Sequence, residues 1–276
     1  MFAYSRGFKK FLPASQELLC LWVADLSKRV QPATIKGYLS AVRSLHIEHG
    51  LKFDIGDRAL LDRIMLGVKR NAPDKSRRKR LPITTSLIKQ FSTRFKLHLY
   101  NHAVLFAALC TAVGGLFRPS EVCPRSASQP DRLLTLKSLK WEAGPPLHFT
   151  IHLNQSKADS EYKGVTVRVM WPVAVNAMQH YLSMRPRSAV PLFALSDGSP
   201  LLYRALIDNT TSLVRVVGID MRQFRGISFR AGGATSLADA GADSSTIQSC
   251  GRWKSQAFKL YVDANKPKLA EAALQM

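Results

Sequence analysis

The stretch from His102 to Phe117 is the most apolar in the chain, with Ala, Val, Leu and Phe on every side of any helix drawn through it. A helix that is apolar all round has to be enclosed all round. No apolar run reaches the roughly 18 residues that a bilayer span needs. The stretch therefore reads as a core helix, and the chain around it has to supply the elements that cover it.

Its neighbours fit that demand. Leu87, Ile88, Phe91 and Phe95 mark an amphipathic helix just before it. After it, Leu147, Phe149, Ile151 and Leu153 alternate with His148, Thr150, His152 and Asn154, the period of a half-buried strand. Val165, Val167 and Val169 alternate in the same way, and the polar run Gln155–Glu161 between them reads as a turn. Helices resume after Pro172 and continue, with breaks, to the end. The expected class is mainly α, with a small β-hairpin or sheet inside a helical second domain.

The first seventy residues look different. Leu18, Leu19, Trp22, Val23 and Leu26 repeat at helical spacing after Pro13 and Ser15. Ile35, Tyr38, Leu39, Val42 and Leu45 form a second stripe between Pro32 and Gly50, and Leu60, Leu61, Ile64, Met65 and Val68 a third. Short helices with little strand signal make a small bundle. Then Lys69–Pro82 brings Lys69, Arg70, Lys75, Arg77, Arg78, Lys79 and Arg80 together, with Pro73 inside the run and Pro82 closing it. Such a basic, proline-marked run is a linker. It divides the chain into a helical domain at 1–72, a linker at 73–81 and a second domain at 82–276. A strap along a nucleic-acid backbone and a nuclear-import signal are its two expected uses.

The charge supports a polyanionic partner. Forty Lys and Arg stand against nineteen Asp and Glu in 276 residues, a formal +21. That imbalance favours nucleic acid or an acidic membrane surface. The N-terminus lacks the apolar segment of a secretory signal. Cys20, Cys110, Cys123 and Cys250 are scattered, as expected of free thiols in a reducing compartment. His46 and His49 form an H-x-x-H with no Cys or acidic partner at ligand spacing, so no metal is expected there.

The chemistry-bearing residues come in a fixed order. Arg118 follows Gly114-Gly115-Leu116-Phe117 and precedes Pro119-Ser120-Glu121, where a helix start can aim a guanidinium at a phosphate and Glu121 can hold it. Lys157 stands in the turn of the expected hairpin. Arg230 precedes Ala231-Gly232-Gly233-Ala234, small residues that let a helix pack close to another backbone. Gly251-Arg252-Trp253-Lys254-Ser255 follows, and Tyr261 lies ten residues after Gly251. Two arginines on one phosphate neutralise transition-state charge, and a tyrosine in that field is a nucleophile candidate.

This set resembles the catalytic end of the tyrosine recombinases, the phage-integrase type of DNA strand-transfer enzyme. Ser156-Lys157-Ala158-Asp159 is also similar to the recombinases of eukaryotic DIRS-like and Crypton-like mobile elements. The resemblance covers nearly the whole chain. It implies a core-binding domain over about 13–70 and a catalytic domain from about 82, closing as a clamp on double-stranded DNA. It implies attack by Tyr261 on a DNA phosphate, giving a 3′-phosphotyrosyl bond and a free 5′-hydroxyl, with no metal, nucleotide or other cofactor. Arg118 and Arg230 would clamp the phosphate, and Lys157 would protonate the departing 5′ oxygen. Either Arg252 or Trp253 would fill the family's His/Trp position, since counts from the two ends of the motif disagree. Lys36, Arg43, Lys69, Arg70, Arg77, Arg78, Lys79, Arg80 and Arg252 are the expected DNA contacts. A homotetramer on DNA, docked through the tail 265–276, and a nuclear location complete the expectation, with no membrane association.

One position departs from the pattern. The family reads His-x-x-Arg where this chain reads Ile227-Ser228-Phe229-Arg230. Ile227 can neither take a proton nor bind a phosphate, and general-base loss costs roughly 10²–10⁴-fold. Two readings follow: a recombinase with an impaired site, or a DNA-binding protein derived from a mobile-element recombinase that has lost chemistry. A type IB topoisomerase and a generic basic RNA-binding protein stand behind these.

Overall fold

The computed structural model describes residues 2–53, 58–72, 80–156 and 163–262. The chain forms two compact units, Met1–Arg77 and Arg78–Met276. Lys157, Arg77, Arg78, Lys79 and the tail 265–276 lie outside the described residues.

The first unit contains α1 (Phe2–Ser5), α2 (Gln16–Ser27), α3 (Pro32–Glu48) and α4 (Arg58–Asn71). Ser15 caps α2 by accepting the Leu18 N–H, and Pro32 starts α3 where its missing N–H is harmless. Leu18, Leu19, Val23, Leu26, Ile35, Leu61 and Met65 form the core, drawn from the three expected stripes. His46 is fully buried. Its Nε2 accepts the Ala14 N–H at 2.8 Å and its Nδ1 lies 2.7 Å from the Val42 carbonyl. Both ring nitrogens thus serve the backbone and tie the chain before α2 to α3.

The second unit is built on α6 (Tyr100–Gly114), preceded by α5 (Thr85–Ser92). Ala103 to Val113 are all buried, as a helix apolar on every side requires. The short α7 (Pro119–Val122) follows, then a three-stranded antiparallel sheet of β1 (Leu139–Glu142), β2 (His148–Leu153) and β3 (Val165–Val169) in that order. Phe149 faces Val169 and Ile151 faces Val167, so the alternating apolar sets meet on the core side. The strand β1 was not expected from sequence. It is four residues long and none of them is fully buried, which leaves no clear alternation to read. Then come α8 (Pro172–Met184), α9 (Tyr203–Val216), α10 (Ile227–Asp239), α11 (Ser244–Gly251) and α12 (Lys259–Val262). Among the described residues no helix is long and apolar enough to cross a membrane.

The glycines of α10 set how closely it docks. A Cβ on Gly232 would lie 1.9 Å from the Ile83 carbonyl oxygen, and one on Gly233 would lie 2.4 Å from that of Val113. The Ile83 N–H donates to the Ser228 carbonyl at 2.8 Å, fixing the approach. Because the obstacle is backbone, a methyl at 232 has no side chain to push aside. Gly232→Ala is expected to destabilise the protein by at least the roughly 1–3 kcal/mol of an overpacked core. Urea denaturation monitored by tryptophan fluorescence reads this directly, and an unchanged midpoint would show that α10 can slide.

Candidate active site

Arg118 sits at the start of α7, held by one carboxylate. Its backbone N–H donates to Glu121 Oε2 at 2.9 Å and its Nη1 donates to Oε1 at 2.7 Å. The Glu121 side chain is only 6% exposed, whereas that of Arg118 is 33% exposed. The same carboxylate accepts Arg252 Nη2 at 3.0 Å and the Ser156 hydroxyl at 3.1 Å. Glu121 thus gathers three parts of the chain: the start of α7, the residues just after β2 and the turn after α11. Lys157, outside the described residues, directly follows Ser156 in the chain.

The turn after α11 is strained. Among the described residues the non-glycine positions with positive φ are Leu116 at 50° and Arg252 at 56°. Both belong to this site, and each such residue costs on the order of 1–3 kcal/mol. Arg252 reaches back towards the carbonyls of Gly115 and Leu116 at 3.4 Å and lies over the Phe117 ring at 5.1 Å. The left-handed turn sends Arg252 one way and Trp253 the other. The Trp253 ring crosses Gly251 so closely that a Cβ there would fall 1.5 Å from it. Each therefore has a place in the site: Arg252 pairs with Glu121, and Trp253 supports Arg230.

Arg230 occupies the fourth position of α10, 5% exposed. Its guanidinium lies 4.5 Å over the Trp253 ring and donates through Nη2 to the Gly251 carbonyl. Burial, then the charges of Arg118 and Arg252, push it down to about 10, with Glu121 and Tyr261 pulling the other way. The Nε atoms of Arg230 and Arg252 are buried with no acceptor among the described residues. Buried donors of this kind are rare in native proteins. Among the described residues three guanidiniums and one carboxylate leave the cluster short of negative charge, which an anion would offset.

Tyr261 lies on α12, its ring 6.1 Å from that of Trp253. Thr235 of α10 donates to the Tyr261 carbonyl at 3.1 Å. Burial raises the phenol above its ordinary value, and Arg230 and Arg118 oppose that rise. The fold therefore brings Arg118, Arg230, Arg252, Trp253 and Tyr261 into one locale. A cleft of about 600 Å³ beside it is lined by Ser156, Gly164, Ser245, Arg252, Trp253 and Lys254.

Ile227 is the first residue of α10 and is 47% exposed. The hairpin strand β2 carries two imidazoles. His148 Nδ1 pairs with the Pro146 carbonyl at 2.9 Å, and His152 Nδ1 with the Thr166 hydroxyl at 3.1 Å. Elsewhere Lys36 and Arg43 are exposed on α3, seven residues apart and so on one face, and Lys69 and Arg70 are exposed at the end of α4. Arg80 is exposed but donates to the Arg222 carbonyl, which anchors the start of the second unit to itself. Arg125 and Tyr203, which carry no motif, were not picked out by sequence.

The second unit is mainly helical with a small three-stranded antiparallel sheet, and its fold matches that of the tyrosine recombinase catalytic domain. No protein-family model and no curated protein sequence matches the chain. Solved structures do. The XerH site-specific recombinase in its post-cleavage complex with a palindromic difH substrate aligns over 98% of this chain and 74% of that chain, with a TM-score of 0.65 at 17% identity. The Tn1549 transposon integrase with circular-intermediate DNA aligns over 90% and 80%, with a TM-score of 0.55 at 16% identity. A lambda integrase dimer on a COC′ core site aligns over 95% and 85%, with a TM-score of 0.55 at 15% identity. At these identities the likeness establishes the fold.

Proposed function

We propose that the chain is a DNA strand transferase that cuts and rejoins DNA through a 3′-phosphotyrosyl bond on Tyr261. The observation that carries this reading is the arginine cluster, in which Arg118, Arg230 and Arg252 gather around the single carboxylate of Glu121 beside a half-buried tyrosine. A tetrahedral phosphate fits that cluster, since guanidinium forks bind its oxygens. Attack by Tyr261 on the phosphorus forms the P–O bond to tyrosine and breaks the bond to the 5′ oxygen. The tyrosine proton leaves to solvent and Lys157 supplies one to the leaving oxygen. A 5′-hydroxyl from another strand reverses these steps on new DNA, so no nucleotide is consumed. The test is incubation with nicked suicide DNA, scored for a covalent adduct on a denaturing gel.

A second reading is favoured by Ile227: a protein that keeps the DNA clamp and has lost chemistry. It predicts DNA binding with no adduct on any substrate. Both readings assign unit 1 to core binding and unit 2 to the phosphate site. Exchange between two duplexes, each cut twice, supports a homotetramer on DNA. The Ser156–Asp159 text supports kinship with DIRS-like or Crypton-like elements, and the basic run 69–80 supports a nuclear location.

Salt dependence checks the interface. If six to ten phosphates are neutralised, affinity is expected to fall roughly 10³–10⁵-fold between about 50 and 200 mM salt. Replacing Arg77, Arg78 and Lys79 by alanine should flatten the log–log slope by roughly 0.9 for each phosphate that is no longer neutralised. A slope identical to the parent's removes the linker from the interface.

A further inference from the structure

Position 227 has a neighbour of the right chemistry. Gly226, which precedes Ile227, has helical dihedrals of φ −53° and ψ −27°, so the helical geometry of α10 extends back to it. A Cβ on Gly226 would lie 2.7 Å from the hydroxyl oxygen of Tyr203. The phenol therefore sits where a side chain at 226 would otherwise begin. Residues i and i+4 share one face of a helix, and side chains lean towards its N-terminus. Arg230 is at i+4 from Gly226. The Tyr203 hydroxyl thus stands about one turn, roughly 6 Å along the axis, before Arg230 on the same face and towards the end its side chain leans to.

The surroundings hold the ring in place. Tyr203 is the first residue of α9, and its backbone N–H donates to the Pro124 carbonyl at 2.8 Å, just after α7. The Arg125 guanidinium lies 4.8 Å over its ring. On the other side the turn into α10 is closed by the Ser228 N–H donating to the Arg225 carbonyl and the Arg225 N–H to the Ser228 hydroxyl. Tyr203 is thereby wedged between the segment that carries Arg118 and the helix that carries Arg230. It is half-buried, and among the described residues no hydrogen bond engages its hydroxyl. A phenol O–H is a hydrogen-bond donor.

We propose that the Tyr203 hydroxyl donates a hydrogen bond to a non-bridging oxygen of the phosphate held by Arg230, supplying the phosphate contact that Ile227 cannot make. The assignment rests on the strand-transferase reading above. It gives Tyr203 the phosphate-holding part of an imidazole's work and leaves the proton-taking part vacant. Arg125, over the ring, positions it.

The test is Tyr203→Phe, which deletes the hydroxyl and keeps the ring under Arg125. Adduct formation on nicked suicide DNA is expected to slow roughly 10²-fold, the loss typical of one transition-state donor. Melting temperature should stay at the parental value, and DNA affinity should fall far less than the adduct rate, because only one of many phosphate contacts is lost. The decisive arm repeats the substitution in an Ile227→His background. An imidazole at 227 makes the hydroxyl redundant, so the loss there should shrink to within a few-fold. Equal adduct rates with and without the hydroxyl in the parent overturn the proposal, as does an equal loss in both backgrounds. A fall in melting temperature that accounts for the slower rate assigns Tyr203 to packing and overturns it as well. No adduct from the unmodified chain, with DNA binding intact, overturns the strand-transferase reading and takes this proposal with it.

Discussion

Tyr261→Phe is expected to abolish every covalent protein–DNA adduct while the protein stays folded and bound to DNA. The substitution removes one oxygen and little else. The ring still packs 6.1 Å from Trp253, and Thr235 bonds the Tyr261 backbone carbonyl, which any residue at 261 provides. The other hydroxyls placed at the cluster have different work, Ser156 bonding Glu121 and Tyr203 holding the phosphate, so the loss should be complete rather than graded. The phenol itself is held above its ordinary value by burial, against the pull of Arg230 and Arg118. In the free protein it is therefore protonated at neutral pH, and adduct formation should accelerate as pH rises from about 6 to 9 because the attacking species is the phenolate. A denaturing gel of labelled nicked DNA reads both effects. Adduct that persists in the phenylalanine variant would move the nucleophile elsewhere.

Restoring an imidazole should act in the opposite direction. Ile227→His is expected to raise the rate of adduct formation, approaching the roughly 10²–10⁴-fold range of general-base catalysis. Position 227 is 47% exposed at the first turn of α10, so an imidazole fits without displacing core. The positive end of the helix disfavours its charged form, which leaves the neutral ring able to take the Tyr261 proton. The measurement is the single-turnover rate on a suicide substrate. If the histidine variant folds, binds DNA and yields no adduct, the purely DNA-binding reading prevails. If the parent already reacts at the variant's rate, another group has taken over proton removal and the account of position 227 is wrong.

Local periodicity made much of the scaffold legible. The three longer helices of the first unit, α2, α3 and α4, follow from stripes at Leu18–Leu26, Ile35–Leu45 and Leu60–Val68, because an apolar face at 3.6-residue spacing can be buried in few ways. The all-round apolar stretch from His102 had to be a central helix, and Ala103–Val113 are buried in α6. The alternation around Phe149 and Val167 announced β2 and β3 for the same reason. Where that signal fades, as in the four residues of β1, the sequence is silent.

The site divides along a similar line. The order of the motifs, through its resemblance to the tyrosine recombinases, pointed to a phosphate-handling arginine–lysine–arginine–tyrosine series, and the small residues after Arg230 announced a close helix contact. The Arg118–Glu121 pair was expected from sequence, but only the tertiary structure decided that the same buried carboxylate also takes Ser156 and, from more than a hundred residues away, Arg252. It alone separated Arg252 from Trp253, because a left-handed turn at φ 56° sends adjacent side chains in different directions and no spacing rule encodes that turn at an arginine. It alone brought Tyr203 to the start of α10. A glycine at 226 and a tyrosine at 203 look ordinary in sequence, and their contact exists only because α7, α9 and α10 converge. Periodicity is a property of neighbours a few residues apart. The electrostatics of this site come from residues that are far apart in sequence, and packing alone brings them together.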